Sequence, residues 1–274
     1  MPKNVDIEIF NIGKTQVNRE EVQRWMDYLG ADEFKQPPEE SVNDPAYLIA
    51  LAGKRCYMSF QPGLNPNVSR IREDYIKYFD NILSSKHGSV LEHATYSFAV
   101  EGVSRVFTAE MNRHRAGWAI SEGSLRFISF KEIPYWLPTS LQPNENDDDD
   151  LRERKEDSRF IFDNVFKFVE SQYGALLITW DMKESHHNFQ YKKAVTSCLR
   201  RIVPLGVATG GVWTGNIRAL RHVMAMRADS ITAEEEIYYV FCKIAEYMIQ
   251  AEPLLFQDFT KNTENSWRPK FWKV

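Results

Sequence analysis

Apolar and polar residues alternate over Asp6-Ile7-Glu8-Ile9-Phe10-Asn11-Ile12, which predicts a short strand near the start of the chain. The period then lengthens. Helices are predicted over 18–29 and 45–58, the second from the spacing of Ala46, Leu48, Ile49, Leu51 and Ala52. Pro62, Gly63, Asn65, Pro66 and Asn67 mark a loop, and Ile71, Tyr75, Tyr78, Phe79 and Ile82 give one apolar face to a helix over 68–85. Ala94 to Val100 returns to period two, a half-buried strand that Gly102 is expected to break. Val103, Val106, Phe107 and Met111 recur at helical spacing, so a helix over 103–115 is predicted to end in Arg113-His114-Arg115. A mobile acidic insertion is expected at about 141–157, around the self-repelling run Asp147 to Asp150. Helices follow over 158–174 and 188–200, and no element is assigned between Trp180 and Phe189. Leu205 to Gly211 is too rich in glycine for a helix interior and reads as a turn or strand edge. Helices over 214–228 and 232–251 close the pattern. Strands so few, and not regularly alternated with helices, favour an α+β class over a doubly wound sheet.

Composition narrows the function. Of 274 residues, 43% are apolar and 26% charged, as in a soluble globular protein. No apolar run approaches the roughly 20 residues of a membrane-spanning helix, and Met1 to Asp6 lacks the apolar stretch of a secretory leader. Cys56, Cys198 and Cys242 are far apart, which disfavours a disulfide framework or structural zinc and makes the cytoplasm the default compartment. A net charge of −4 argues against a nucleic-acid binder held by a basic surface. Any anion site must therefore be a local gathering of arginine.

Three such places stand out. Glu110-Met111-Asn112-Arg113-His114-Arg115 is followed by Ser121-Glu122-Gly123-Ser124-Leu125-Arg126. Arginine forks match phosphate oxygens in pairs, and Ser124 with a turn at Gly123 would add neutral donors; a basic helix end complementing its dipole is the plainer alternative. A second group runs from Arg200 and Arg201 through Asn216, Arg218, Arg221 and His222 to Arg227, where Arg218 and His222 share a helix face; paired surface charges would look the same. Spacing to Pro204 favours Arg200 over Arg201 as the ligand-facing residue. The third group, Lys86-His87-Gly88-Ser89-Val90-Leu91-Glu92-His93, matches no common metal spacing, so no metal is expected.

Together and in this order, the three blocks resemble the flavin-dependent thymidylate synthases, from about Leu48 to Phe256 apart from the acidic insertion. The resemblance implies a single domain over 1–274, with a small, mostly antiparallel sheet wrapped by long helices. It implies a homotetramer with active sites where subunits meet, and transfer of a one-carbon unit from 5,10-methylenetetrahydrofolate to C5 of dUMP, with FAD as cofactor and NADPH as reductant. Ser89, Arg113, His114, Arg115, Glu122, Asn216, Arg218 and His222 would contact FAD, and His87 would lie against the flavin near the folate site. Glu110, Arg113, Gly123, Ser124, Leu125, Arg126 and Arg200 would hold the nucleotide, with Arg227 on the uracil ring. Ser124 then reads as a donor rather than a nucleophile. The chain departs from the family pattern at Glu110, where Gln is usual, at His222, where Asn is usual, and in one extra residue between Arg115 and Ser124. A carboxylate at 110 suits two sugar hydroxyls better than a phosphate, so UMP is the alternative substrate. A non-catalytic flavin or nucleotide binder is the further alternative.

Overall fold

A computed structural model of the chain describes residues 3–125, 132–182, 187–229, 233–262 and 266–274. In order, the elements are β1 (Lys3–Asn4), β2 (Glu8–Lys14), α1 (Arg19–Leu29), α2 (Asp44–Tyr57), α3 (Tyr75–Ser84), β3 (Thr95–Ser104), α4 (Arg105–Met111) and β4 (Trp118–Glu122). There follow β5 (Pro134–Tyr135), α5 (Asp149–Thr179), α6 (Phe189–Leu199), β6 (Ala208–Asn216), α7 (Ile217–Arg227), α8 (Glu235–Ala251), β7 (Phe259–Lys261) and β8 (Trp267–Pro269). The class is α+β, as expected. The main sheet has the order β2-β3-β6-β4. Its pairs run antiparallel: Thr15 meets Thr95, Ser97 meets Thr214, and Asn216 and Gly210 meet Gly117 and Gly123 respectively. A parallel pair, β1 with β5, and an antiparallel pair, β7 with β8, complete the strands among the described residues.

Contacts divide the chain into two compact units, neither of them a continuous segment. The first comprises Met1–Phe10, Ala99–Arg113 and Ile120–Val212; the second comprises Asn11–Phe98, His114–Ala119 and Trp213–Val274. In the first, Tyr135 stacks on Phe166 at 4.5 Å inside a cluster with Ile133, Leu137 and Val207. In the second, Tyr47, Phe79, Phe98, Phe241 and Phe256 are almost wholly buried.

Several boundaries differ from the sequence reading, each for a local reason. The helix expected over 68–85 starts only at Tyr75, because the Asp74 carboxylate takes the Ile76 and Lys77 N–H groups at 2.9 and 3.2 Å. Gly102 does not break β3, which continues to Ser104; it sits inside the strand at φ +78°, where a Cβ would collide with the Asp6 carbonyl. The helix expected to 115 stops at Met111, capped by Ser104 at one end and Asn112 at the other, so Arg113-His114-Arg115 lies in the turn beyond it. Asp147 to Asp150 opens a helix rather than a mobile insertion. Asp148 accepts from the Leu151 N–H at 2.8 Å, Asp149 and Asp150 lie in the first turn, and Asp147 is buried against Lys155 at 2.7 Å. The glycine-rich segment makes a turn at Leu205 and Gly206, one of the two expected readings, and beyond that turn is not a sheet edge. It enters β6, between β3 and β4, where Gly210 leaves room for the Glu101 side chain. That strand also takes residues 214–216, which were expected to be helical, and α7 starts at Ile217.

Candidate active site

Asn216 ends β6 and caps α7 by accepting the Ala219 N–H at 2.8 Å. Its own N–H reaches the Gly117 carbonyl at 3.0 Å. Gly117 has φ +76°, and a Cβ there would stand 2.7 Å from Asn216 Nδ2 and 2.8 Å from Ala219, so the close approach requires glycine. Beside this contact, within the second unit, is a cavity of ≈ 470 Å³ lined by Ala116, Gly117, Asn216, Arg218, His222 and the segment Phe271–Val274. Arg218 is exposed and donates to Glu92 at 2.6 Å and to the Val274 main-chain oxygen at 2.9 Å. Farther along α7, Arg227 Nε donates to His114 Nε2 at 3.0 Å, and the His114 ring lies 6.1 Å from that of His222. An accepting Nε2 carries no proton, so the imidazole in this contact is the Nδ1–H tautomer. His114 is thereby joined to the helix of the second arginine group.

Arg221 shares α7 but not the role. It is 4% exposed and holds both oxygens of Asp258 at 2.8 and 2.9 Å, a pair enclosed by protein. His87 and Ser89 line an adjoining cavity of ≈ 360 Å³ with Tyr57 and Arg218, and His87 stacks on Tyr57 at 6.4 Å. Arg115 is exposed in the same unit.

The first unit holds the other expected residues. Glu122, Gly123, Ser124 and Leu125 line a cavity of ≈ 540 Å³ together with Arg105, Asn112 and Arg200. Arg200 faces this cavity, whereas Arg201 turns back to the Ser197 carbonyl at 2.8 Å. Arg105 pairs with Glu122 and donates to the Gly123 carbonyl, and Asn112 reaches the same carboxylate at 3.1 Å. Burial first, and repulsion from Arg200 second, lowers the Arg105 pKa, and its Nε is buried with no hydrogen-bond partner among the described residues. Two guanidinium groups around one carboxylate leave this cavity attractive to an anion. A more open cavity of ≈ 1220 Å³ in the same unit is lined by Asp6, Glu101, Glu122 and Glu132, which would repel one. Arg105 was missed in the sequence. The signal was there, an arginine directly after a serine N-cap and flanked by Val103, Val106 and Phe107. Glu110 is ion-paired with Arg113 at 3.3 Å. Glu122, expected at the flavin, lines the same cavity as Ser124 and Arg200. Arg126 lies outside the described residues. Among the described residues no group of three or more His, Cys, Asp or Glu side chains is placed to hold a metal.

The model of the thymidylate synthase complementing protein family matches residues 39–254. The flavin-dependent thymidylate synthase of Mycobacterium tuberculosis is 31% identical over 242 residues, covering 86% of this chain and 89% of its own. That of Corynebacterium aurimucosum is 27% identical over 221 residues, 81% of this chain and 82% of its own. Among solved structures, a UMP/dUMP methylase, PolB from Streptomyces cacaoi bound with 5-Br UMP, superposes with a TM-score of 0.61 at 15% identity, over 93% of this chain and 94% of that one.

Proposed function

The chain belongs to the thymidylate synthase complementing protein family, and from that premise we propose that it makes dTMP by reductive C5-methylation of dUMP. Membership carries the coarse statement: a flavin-dependent methyltransferase of nucleotide biosynthesis, acting on a pyrimidine nucleotide. The finer reading adds FAD as the form of the flavin, 5,10-methylenetetrahydrofolate as one-carbon donor and NADPH as reductant.

The observation that carries this reading is the 3.0 Å contact between His114 and Arg227, which joins two blocks more than a hundred residues apart. The residues of the second unit fit a flavin dinucleotide. Gly117 lets the chain pack closely against Asn216 and Ala219 at the cavity wall, and Asn216, Arg218 and His222 present polar groups to a cavity of ligand size. When bound, the flavin supplies the redox capacity that turns a one-carbon unit into a methyl group. The protein supplies position and field. In this reading Asn216, Arg218, His222, His114, Ser89, Arg113, Arg115 and Glu122 hold the cofactor, and His87 stands beside it. Ser124, Arg200, Glu110, Arg113, Gly123, Leu125 and Arg126 hold the nucleotide. Arg227, oriented by His114, meets the negative charge that develops on the uracil oxygens and nitrogens when C5 becomes nucleophilic.

UMP is the second reading, favoured by Glu110. A half-buried carboxylate already paired with Arg113 is better placed to accept from two ribose hydroxyls than to stand beside a phosphate. Steady-state kcat/KM with dUMP and with UMP, read by tritium release from C5, separates the two. A strong preference for dUMP removes the ribonucleotide reading, and no release from either nucleotide overturns both.

A homotetramer acting in the cytoplasm is part of the proposal. Ile161, Val165 and Phe168, spaced along one face of α5, are 59%, 47% and 65% exposed, an apolar stripe suited to a second copy of the chain. No helix among the described residues is long and apolar enough to cross a membrane.

A further inference from the structure

Past residue 254, where the family match ends, the chain folds back as a strap that is fastened at several points to the second unit. Asp258 is its anchor. The carboxylate that takes the buried Arg221 fork also accepts the Phe271 N–H at 3.1 Å, and the Asp258 carbonyl accepts the Lys270 N–H at 2.8 Å. Between these points the β7–β8 pair is tied down by the Trp267 N–H to the Ala228 carbonyl at 2.8 Å. So fixed, the strap leads Phe271–Val274 along the wall of the ≈ 470 Å³ cavity. Its far end has a prepared seat. Arg218 Nε donates to the Val274 main-chain oxygen at 2.9 Å, and Gly88 provides the space, because a Cβ on it would overlap the Val274 backbone.

On this strap Trp272 is 50% exposed and lines the cavity, with Lys273 next to it and Arg218 and His222 on the same lining. A large indole left in water on an anchored segment is a surface for a flat partner. Cations around an aromatic face are the chemistry that receives a nucleotide, ring on ring and phosphate on charge. We propose that the strap is a wall of the cofactor site, with Trp272 stacking on a ring of the flavin dinucleotide and Lys273 beside its phosphates. The proposal rests on the flavoenzyme reading and deepens it, because both residues lie outside the family-matched segment.

Fluorescence titration of FAD into the flavin-free full chain tests it, following both flavin quenching and tryptophan emission. Trp272→Ala should raise the FAD dissociation constant about tenfold, while Trp272→Phe, which keeps a stacking face, should stay within about threefold of the natural protein. The exposed aromatic Tyr28, which is not among the cavity-lining residues, serves as the control, and Tyr28→Ala should change nothing. Titration with FMN locates the ring. A matching loss puts Trp272 on the isoalloxazine, and a loss confined to FAD puts it on the adenine. A Trp272→Ala protein with unaltered circular dichroism and an unaltered FAD dissociation constant overturns the proposal. Failure of the natural chain to take up any flavin is a different result, and it removes the flavoenzyme reading as well.

Discussion

Arg227 and Arg221 lie six residues apart on α7 and carry the same charge, yet their surroundings give them opposite uses. Arg221 is spent on Asp258 inside the protein, where losing one partner would strand a buried charge. Arg227 is half-buried and tied through Nε to His114, which fixes the plane of its guanidinium without enclosing it. A group held like this stabilises developing charge with little reorganisation, which is the property a transition state rewards. Arg227→Ala is therefore expected to keep the yellow colour of the purified protein and to lower kcat by about 10²–10³-fold. Absorbance near the flavin bands together with the C5 tritium assay checks both halves, and retained turnover would show that another cation meets the uracil. The adjacent pair Arg200 and Arg201 makes the same point, since only Arg200 lines the cavity with Ser124.

Elements place these side chains by where they stop. Because α4 ends at Met111, Arg113-His114-Arg115 occupies a turn, and His114 is placed where it meets Arg227. Hydrophobic spacing could not reveal this stop, because it is made by caps and not by a change of period. Gly102 was likewise misread, as a breaker, because the reason for that glycine, the Asp6 carbonyl, lies far away in the sequence. The end of α8 carries a second consequence. Glu252, 1% exposed, accepts from the Tyr96 hydroxyl of β3 at 2.5 Å, while its Oε2 is buried with no hydrogen-bond partner among the described residues. Burial pushes its pKa up from the ordinary carboxyl range to about 7, against the opposing pull of the Tyr96 hydrogen bond. The folded state thus holds this proton more tightly than the unfolded chain. The stability it contributes is full below the unfolded pKa and is lost as pH rises through about 7. The swing is on the order of 3 kcal/mol. Glu252→Gln should flatten the fall in Tm between about pH 5 and pH 8, and a variant with the same slope would show that another group sets it.

At the scale of the molecule, each compact unit is assembled from three separate stretches of chain, so neighbours in sequence often serve different units. His114 and Arg113 are one such pair. The long helix α5 adds a feature that serves neither core. Besides the stripe at Ile161, Val165 and Phe168, it leaves Phe160 and Ile178 more than half exposed. Exposed apolar residues gathered on one helix suit the proposed subunit interface. Phe168→Glu should shift the proposed tetramer toward smaller species in light scattering coupled to size exclusion, with its circular dichroism unchanged. An unaltered mass would place the assembly interface elsewhere.

The linear chain determined by itself the α+β class, most helices and the chemistry of the three basic blocks. Those depend on periodicity and on residue types in order, which are local properties. It also determined the family, because ordered blocks survive in sequence when overall identity is low. Only the folded structure decided where each arginine sits and what it pairs with. It set Arg221 aside with Asp258, brought Arg105 into the cavity that Arg200 lines, and put Trp272 on the same cavity lining as Arg218 and His222. Burial and partnership come from segments far apart in the chain, and no periodicity in the sequence encodes them.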